Sequence, residues 1–179
     1  MNVLLTNIEN VKNLTNISDN VNGKVLQLAV RESQEIELQE ILGTTLYQKL
    51  LSLVEAGEVS SPGNEAYAEL MEIIQLFLCY CTVVKVIIPL EYKIDNIGVV
   101  QATDENINTL EIDDVYNIVE YYKKRADYYG GLIQKFILKN RSNLEIDECS
   151  CNMIKAHLDS SANTSIWLGG ARGTNRFGK

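Results

Sequence analysis

Cysteine and histidine side chains near the C-terminus are the residues whose types best suit metal chemistry. Cys149 and Cys151 are separated by one serine, and His157 follows six residues after Cys151. Zinc takes four sulfur or nitrogen ligands in a tetrahedron, and the cysteine pairs that bind it are usually spaced Cys-X-X-Cys. The spacing departs from that pattern, and a fourth ligand would have to come from elsewhere. We predict no metal site and keep zinc binding as an alternative.

The other two cysteines, Cys79 and Cys81, lie two apart on a predicted buried helix and therefore point to different sides of it. Buried cysteines usually behave as small apolar residues. The segment Met1–Asn10 has neither the basic region nor the apolar run of a signal peptide, so we expect reduced thiols in the cytosol.

The sequence offers few residues that could form a catalytic site. His157 is the only histidine, so one chain cannot build a Ser–His–Asp triad. The glycine-rich stretch Gly169–Gly173 lacks the Lys-Ser/Thr pair of a phosphate-binding loop. Carboxylates sit mostly on periodic polar faces, where solvation is their usual role. We predict a protein that is not an enzyme and needs no cofactor.

The charge is negative and unevenly distributed. The net charge is −8, with a pI near 4.7. From Ser150 onward four basic residues outnumber one acid, a net charge of +3, and the rest of the chain therefore carries −11. A DNA-reading domain needs a basic face to neutralise phosphates, and the acidic body provides none.

The apolar periodicity predicts four helices, over residues 21–42, 45–56, 65–88 and 113–140. Gly43 should break the first from the second, with Thr44 or Thr45 as the cap. Pro89 should end the third, and Asp113 and Asp114 suit the start of the fourth. The first helix should turn one face inward, formed by Leu26, Ala29, Val30, Ser33, Ile36, Ile41 and Leu42. The fold class is mainly α, a helical bundle of about four helices.

The third helix becomes apolar almost all round from Leu76 to Leu90, with Lys85 inside that stretch. A bilayer-spanning helix needs about 20 apolar residues, so we expect a buried core helix and no membrane. Such a helix must be surrounded by other helices or by neighbouring subunits. In the fourth helix, Gly130 and Gly131 predict close packing or a kink.

The chain divides into three parts. Residues 1–20 are predicted to be an extended or irregular N-terminal arm, residues 21–140 the helical domain, and residues 141–179 a C-terminal tail with a flexible end. A short helix is predicted near residues 152–158. The connection 91–112 is either a small β-hairpin or an extended excursion, and connections of that length are often functional.

Five tyrosines fall on the fourth helix and cannot share one face: Tyr116, Tyr121, Tyr122, Tyr128 and Tyr129. Some of them must therefore face outward or toward a partner. Tyrosine is enriched at protein interfaces because it combines a large apolar area with a polar tip. The alternative is that half are core and the rest are scattered on the surface.

The tail carries one apolar cluster, Ile166, Trp167 and Leu168, in a polar and glycine-rich stretch. A tail cannot bury such a cluster by itself, so it docks either onto its own body or into a pocket on another chain. We predict the second. The predicted partner-binding residues are Ile166, Trp167, Leu168, Arg172, Arg176 and Phe177.

Several segments together resemble the head–tail connector, or adaptor, proteins of tailed bacteriophages. The resemblance covers roughly residues 21–140. It lies in Ile41-Leu42-Gly43 followed by Leu46-Tyr47-Gln48-Lys49-Leu50, in Tyr67 with an apolar helix ending Ile87-Ile88-Pro89-Leu90-Glu91-Tyr92, in Ile97-Gly98-Val99, and in Ala126-Asp127-Tyr128-Tyr129 with Leu132 and Phe136-Ile137-Leu138.

The resemblance implies a helical-bundle subunit of a ring, typically of twelve copies, beneath the portal protein. Such a neck ring extends the DNA channel and docks tail proteins. Its partners would be its own copies, the portal, another neck or tail protein, and passing DNA without sequence readout. The expected location is the head–tail interface of the virion, after assembly in the host cytoplasm. The alternative is a small cytosolic regulatory or protein-interaction module, with zinc on Cys149, Cys151 and His157.

We expect deletion of residues 160–179 to leave the helical fold intact and to weaken assembly, because the deletion removes the predicted docking cluster and no core helix. Circular dichroism and the solution mass check the two halves of this expectation. Loss of folding in the truncated chain would contradict it.

Overall fold

The structure is a computed structural model, and it describes residues 3–95, 98–101 and 112–147. Within that part the protein is mainly helical, as predicted. Helices and strands follow one another as α1 (Ile8–Leu14), α2 (Gly23–Glu32), a π-helical turn (Ser33–Leu38), α3 (Gln39–Leu42), α4 (Thr44–Ala56), α5 (Glu65–Glu91), β1 (Tyr92–Asp95), β2 (Gly98–Gln101) and α6 (Ile112–Lys139).

Helix α5 is the centre of the bundle. It packs along α6 on one side and against α1 and α2 on another. Its apolar residues divide between two core clusters, one shared with α4 and α6 and the other with α1 and α2. Helices of the same chain meet in part the prediction that this helix must be surrounded, because Ile88 and Leu90 near its end remain exposed.

By length and composition, Glu65–Leu90 is also the one helix in the described ranges apolar enough to cross a membrane. Core helices pass the same test, and α5 contacts helices of its own chain on several sides.

The N-terminal arm was wrongly predicted to be irregular. Asn7 caps α1 by accepting a hydrogen bond from the Asn10 backbone N–H at 2.7 Å, and the helix runs to Leu14. Val11 is buried beside α2 and α5, and Leu5 is buried in the other cluster. A seven-residue helix shows too few turns for its periodicity to stand out in the sequence, and packing stabilises it.

The first predicted helix is one continuous element with a π-helical turn inside it, and it begins at Gly23. The inner row recurs every fourth residue, at Leu26, Val30, Gln34, Leu38 and Leu42, all buried. A π turn closes i→i+5 hydrogen bonds and holds more residues than an α turn, so the buried face advances by about one residue. Ile36, predicted to face inward, is therefore 57% exposed.

Two boundaries and one predicted cap differ from the prediction. Helix α4 starts at Thr44, preceded by Gly43 at φ 74°, and neither threonine caps it. Thr45 instead donates its hydroxyl to Asp147 Oδ2 at 2.5 Å. Pro89 lies inside α5, which continues to Glu91, because a proline in the last turn breaks few helical hydrogen bonds.

Strands β1 and β2 pair antiparallel, with Tyr92 opposite Gln101 and Asp95 opposite Gly98. This pairing corresponds to the first of the two alternatives for the connection 91–112.

The two glycines of α6 have different environments, and the helix runs through both without interruption. A Cβ atom on Gly130 would lie 3.3 Å from the Phe77 ring and 3.4 Å from Ile41 Cδ1. A Cβ on Gly131 would meet nothing within 4 Å. The predicted close packing is therefore confirmed at Gly130, where α6 approaches α5.

We expect Gly130→Leu to lower the free energy of unfolding by about 1–3 kcal/mol, because it forces Phe77 and Ile41 apart. The matched variant Gly131→Ala should raise it by about 0.5–1 kcal/mol, since alanine loses less backbone entropy in a helix. Urea unfolding of the two variants measures both values. Equal effects at the two positions would contradict the assigned packing.

Candidate interaction surface

Most residues that the sequence analysis singled out for binding lie outside the described residues. These are the predicted partner-binding residues Ile166, Trp167, Leu168, Arg172, Arg176 and Phe177, the alternative zinc ligands Cys149, Cys151 and His157, and the predicted helix 152–158. Among the described residues, no group of three or more His, Cys, Asp or Glu side chains is placed to hold a metal ion.

Cys79 and Cys81 are buried and lie in separate clusters, as their spacing on α5 predicted. Cys79 packs with α1 and α2, whereas Cys81 packs with the cluster shared by α4 and α6. Burial raises the pKa of the Cys79 thiol to about 11 and that of Cys81 to about 12. Both thiols are therefore protonated near neutral pH and act as apolar core residues.

The tyrosines of α6 divide between an inner and an outer set, as predicted. On the inner side, Tyr129 stacks on Tyr80 of α5, with ring centroids 5.5 Å apart and planes 11° apart. Tyr122 lies 6.4 Å from the same Tyr80 ring. This aromatic contact, together with the close approach at Gly130, fixes α6 on α5.

The outer set forms a stripe along the solvent side of α6. Tyr121 is 51% exposed, Tyr128 62% and Ile118 38%, and Arg125 places its guanidinium carbon 3.7 Å from the centroid of the Tyr121 ring. These residues follow one another at steps of three or four, so they share one face of the helix. We call Ile118, Tyr121, Arg125 and Tyr128 the tyrosine surface. Tyr116 is also exposed, on another side of the helix.

The rings of the tyrosine surface are held in place before any partner binds. Tyr121 packs edge to face against Tyr122, with centroids 5.2 Å apart, and Tyr128 packs in the same way against Tyr129 at 5.3 Å. Arg125 covers one face of the Tyr121 ring through a cation–π contact. Pre-positioned aromatic rings lose little side-chain entropy on binding, which favours their use in an interface.

The residues that follow α6 pack against α4 and the first turn of α5. Leu144 is buried, and the Glu145 backbone N–H donates to the Tyr67 hydroxyl at 2.9 Å. The Lys49 ammonium pairs with the Glu145 carboxylate at 2.6 Å. With the bond from Thr45 to Asp147, these contacts place the last described residue beside the first turn of α4. Residues far apart in the chain make these bonds, so local patterns in the sequence did not reveal them.

The fold and this surface define a mainly helical protein with an exposed aromatic face on α6. The chain belongs to DUF6712, a family of unknown function, whose model matches residues 38–154. The matched region includes α4, α5, the β1–β2 pair and α6, and therefore the tyrosine surface. No curated protein and no solved structure matches the chain.

We expect Cys79 and Cys81 to resist iodoacetamide in the folded protein at pH 7.5 and to react once it is unfolded. Because folding raises both pKa values above the ordinary 9.0, the unfolded chain ionises first, and stability should fall as the pH rises above 9. Urea unfolding across this range, with the Cys79→Ala/Cys81→Ala variant as control, isolates the thiol contribution. A variant that loses as much stability as the wild type would contradict the assignment.

Proposed function

We propose that the protein is a structural subunit of the ring that connects head and tail in a tailed bacteriophage. It catalyses no reaction. Copies of the chain form a ring, typically of twelve, beneath the portal, extend the DNA channel and present a platform to tail proteins. It is a virion protein of the head–tail interface, assembled in the host cytoplasm.

The observation that supports this proposal most is the tyrosine surface. A solvent-facing stripe with two half-exposed tyrosines, an isoleucine and an arginine has the composition of an interface core. It lies along one of the two longest helices, which α5 holds rigidly through the Tyr80–Tyr129 stack. A ring subunit needs a rigid face of this kind on a flank, because each copy must meet its neighbour at the same angle.

The resemblance to connector proteins provides the class of assembly. Its segments, from Ile41 to Leu138, lie inside the region matched by the family model, residues 38–154. The described segments that carry it include the α3–α4 junction at Gly43, the last turn of α5 around Pro89, and the tyrosine pair Tyr128 and Tyr129. The resemblance therefore rests on the region that relatives in the family share.

The charge distribution suits a channel through which DNA slides. Phosphates repel an acidic body, so the body neither binds the duplex tightly nor reads its sequence. The chain carries −11 before Ser150 and +3 from there onward. In this function, Ile166, Trp167, Leu168, Arg172, Arg176 and Phe177 bind the portal or an adjacent ring, which leaves the helical body to form the ring.

We expect light scattering to give the solution mass of a ring, either for the protein alone or after addition of the portal protein from the same genome. The reason is that ring contacts need many copies at a fixed angle, and the portal supplies a template of matching symmetry. The variant lacking residues 160–179 serves as the control for binding through the tail.

A monomer or dimer indifferent to the portal would overturn the connector function. Stoichiometric zinc in the same preparation would then favour the regulatory module, with Cys149, Cys151 and His157 as ligands.

A further inference from the structure

A second exposed face runs along α2, the π-helical turn and α3. Leu28, Glu32, Ile36 and Glu40 recur every fourth residue, and all four are exposed, Leu28 by 53% and Ile36 by 57%. We call these residues the acidic row. Its two apolar side chains alternate with two carboxylates, so it combines apolar area with negative charge.

The π-helical turn keeps the acidic row on one side of the element. In a continuous α-helix, each step of four residues advances the side chain by about 40°, so residues twelve apart would diverge by about 120°. The π-helical turn holds more residues per turn, so it removes most of this angular divergence. π-helical turns inside α-helices occur frequently at functional sites, which gives this exposed row more weight than scattered surface leucines.

A buried glutamine holds the π-helical turn against the body. The Gln34 side-chain oxygen accepts the Leu5 N–H at 2.8 Å, and its amide nitrogen donates to the Val3 carbonyl at 3.0 Å and to the Tyr47 hydroxyl at 3.1 Å. These bonds tie the turn to the N-terminal segment and to α4. The acidic row therefore rests on a fixed element, like the tyrosine surface.

The acidic row and the tyrosine surface complement each other in charge. Glu32 and Glu40 form no ion pair within the described ranges, whereas nearby Glu37 is already paired with Lys85 at 2.8 Å. On α6, Arg125 and exposed Lys124 are likewise without a carboxylate partner in the described part of the chain. The acidic row thus carries two carboxylates without an ion-pair partner in the described residues. Beside the tyrosine surface lie two such cations, of which Arg125 also covers the Tyr121 ring.

The two faces also match in length. The acidic row spans 28–40 and the tyrosine surface spans 118–128, each roughly 15–18 Å at ~1.5 Å rise per residue. Exposed apolar or aromatic side chains lie along both faces, Leu28 and Ile36 on one and Ile118, Tyr121 and Tyr128 on the other. Two helical faces of this length can pack side by side along their whole extent.

One chain cannot bring its own two faces together in this fold. On α5, Cys79 packs with Leu26 and Val30 of α2, while the next residue, Tyr80, stacks on Tyr129 of α6. Consecutive helical residues point about 100° apart, so α2 and α6 cover different sides of α5. Both faces turn away from α5, and both are exposed. Their natural complement is the opposite face on another copy.

We propose that the acidic row of one copy binds the tyrosine surface of the next, with Glu32 and Glu40 facing Lys124 and Arg125. This inference rests on the proposed function and names the contact between neighbouring subunits. A head-to-tail contact between two different faces repeats from copy to copy and closes into a ring when the rotation between copies divides a full turn.

Charge reversal tests the pairing. We expect Glu32→Lys/Glu40→Lys and Lys124→Glu/Arg125→Glu each to raise the protein concentration needed for assembly by about tenfold or more, because like charges then meet across the contact. Combining all four substitutions should restore assembly toward the wild-type value. The control Glu55→Lys/Glu69→Lys makes the same change in net charge at exposed positions outside both faces and should leave assembly unchanged. Sedimentation velocity over a range of concentrations measures all four proteins.

A photo-crosslink identifies directly what binds the tyrosine surface. Benzoylphenylalanine in place of Tyr128 should link to residues 28–40 of a second copy, as read by mass spectrometry of isotopically mixed protein. A link within the same chain, or one to the portal alone, would overturn the inference.

The two proposals fail separately. A ring that forms normally in both charge-reversal variants disproves this contact and leaves the connector function standing. A wild type that only dimerises even with the portal protein present, but does so through the Tyr128 link and with charge-swap rescue, supports the contact and disproves the ring. A wild type that stays monomeric at every concentration, with and without the portal protein, and gives no link overturns this inference too.

Discussion

The burial of α5 is the constraint from which the rest of the described fold follows. A helix apolar on nearly every side is stable only when other elements cover most of it. Here α6 covers one side through the Tyr80–Tyr129 stack and the Gly130–Phe77 contact, and α1 and α2 cover another around Cys79. Once these helices pack against α5, their remaining faces form the outer surface of the protein.

This packing explains why the two exposed faces lie where they do. The inner tyrosines of α6 are needed against α5, which turns Tyr121 and Tyr128 outward on the same helix. On α2, the inner residues pack against α5 with a period of four, which turns the acidic row outward with the same period. The same helical periodicity sets which residues are buried and which are exposed. A change in the buried positions would therefore also move the exposed ones.

The sequence predicted the helices where local signals and periodicity agree, and it failed where distant contacts decide. Helices α4 and α5 begin within a residue of their predicted starts, and the division of the α6 tyrosines was predicted from spacing alone. Ile36 was wrongly predicted to face inward because the prediction assumed a regular α-helix of 3.6 residues per turn without a π-helical turn. Helix α1, the bond from Thr45 to Asp147 and that from Tyr67 to Glu145 depend on residues brought together only by the fold. Of the candidate site, the sequence revealed the tyrosines but not Arg125 above the Tyr121 ring or the acidic row.

The composition of the two faces suits the proposed ring subunit, which would have to stay dispersed before it assembles. A purely apolar stripe of the same length would drive non-specific association, since exposed apolar patches attract one another without regard to geometry. Tyrosine keeps a hydrated hydroxyl, and interleaved carboxylates and cations repel an identical face while they attract the opposite one. With Glu32 and Glu40 on one face and Lys124 and Arg125 on the other, like faces oppose each other, and only the head-to-tail arrangement gains both apolar burial and charge pairing.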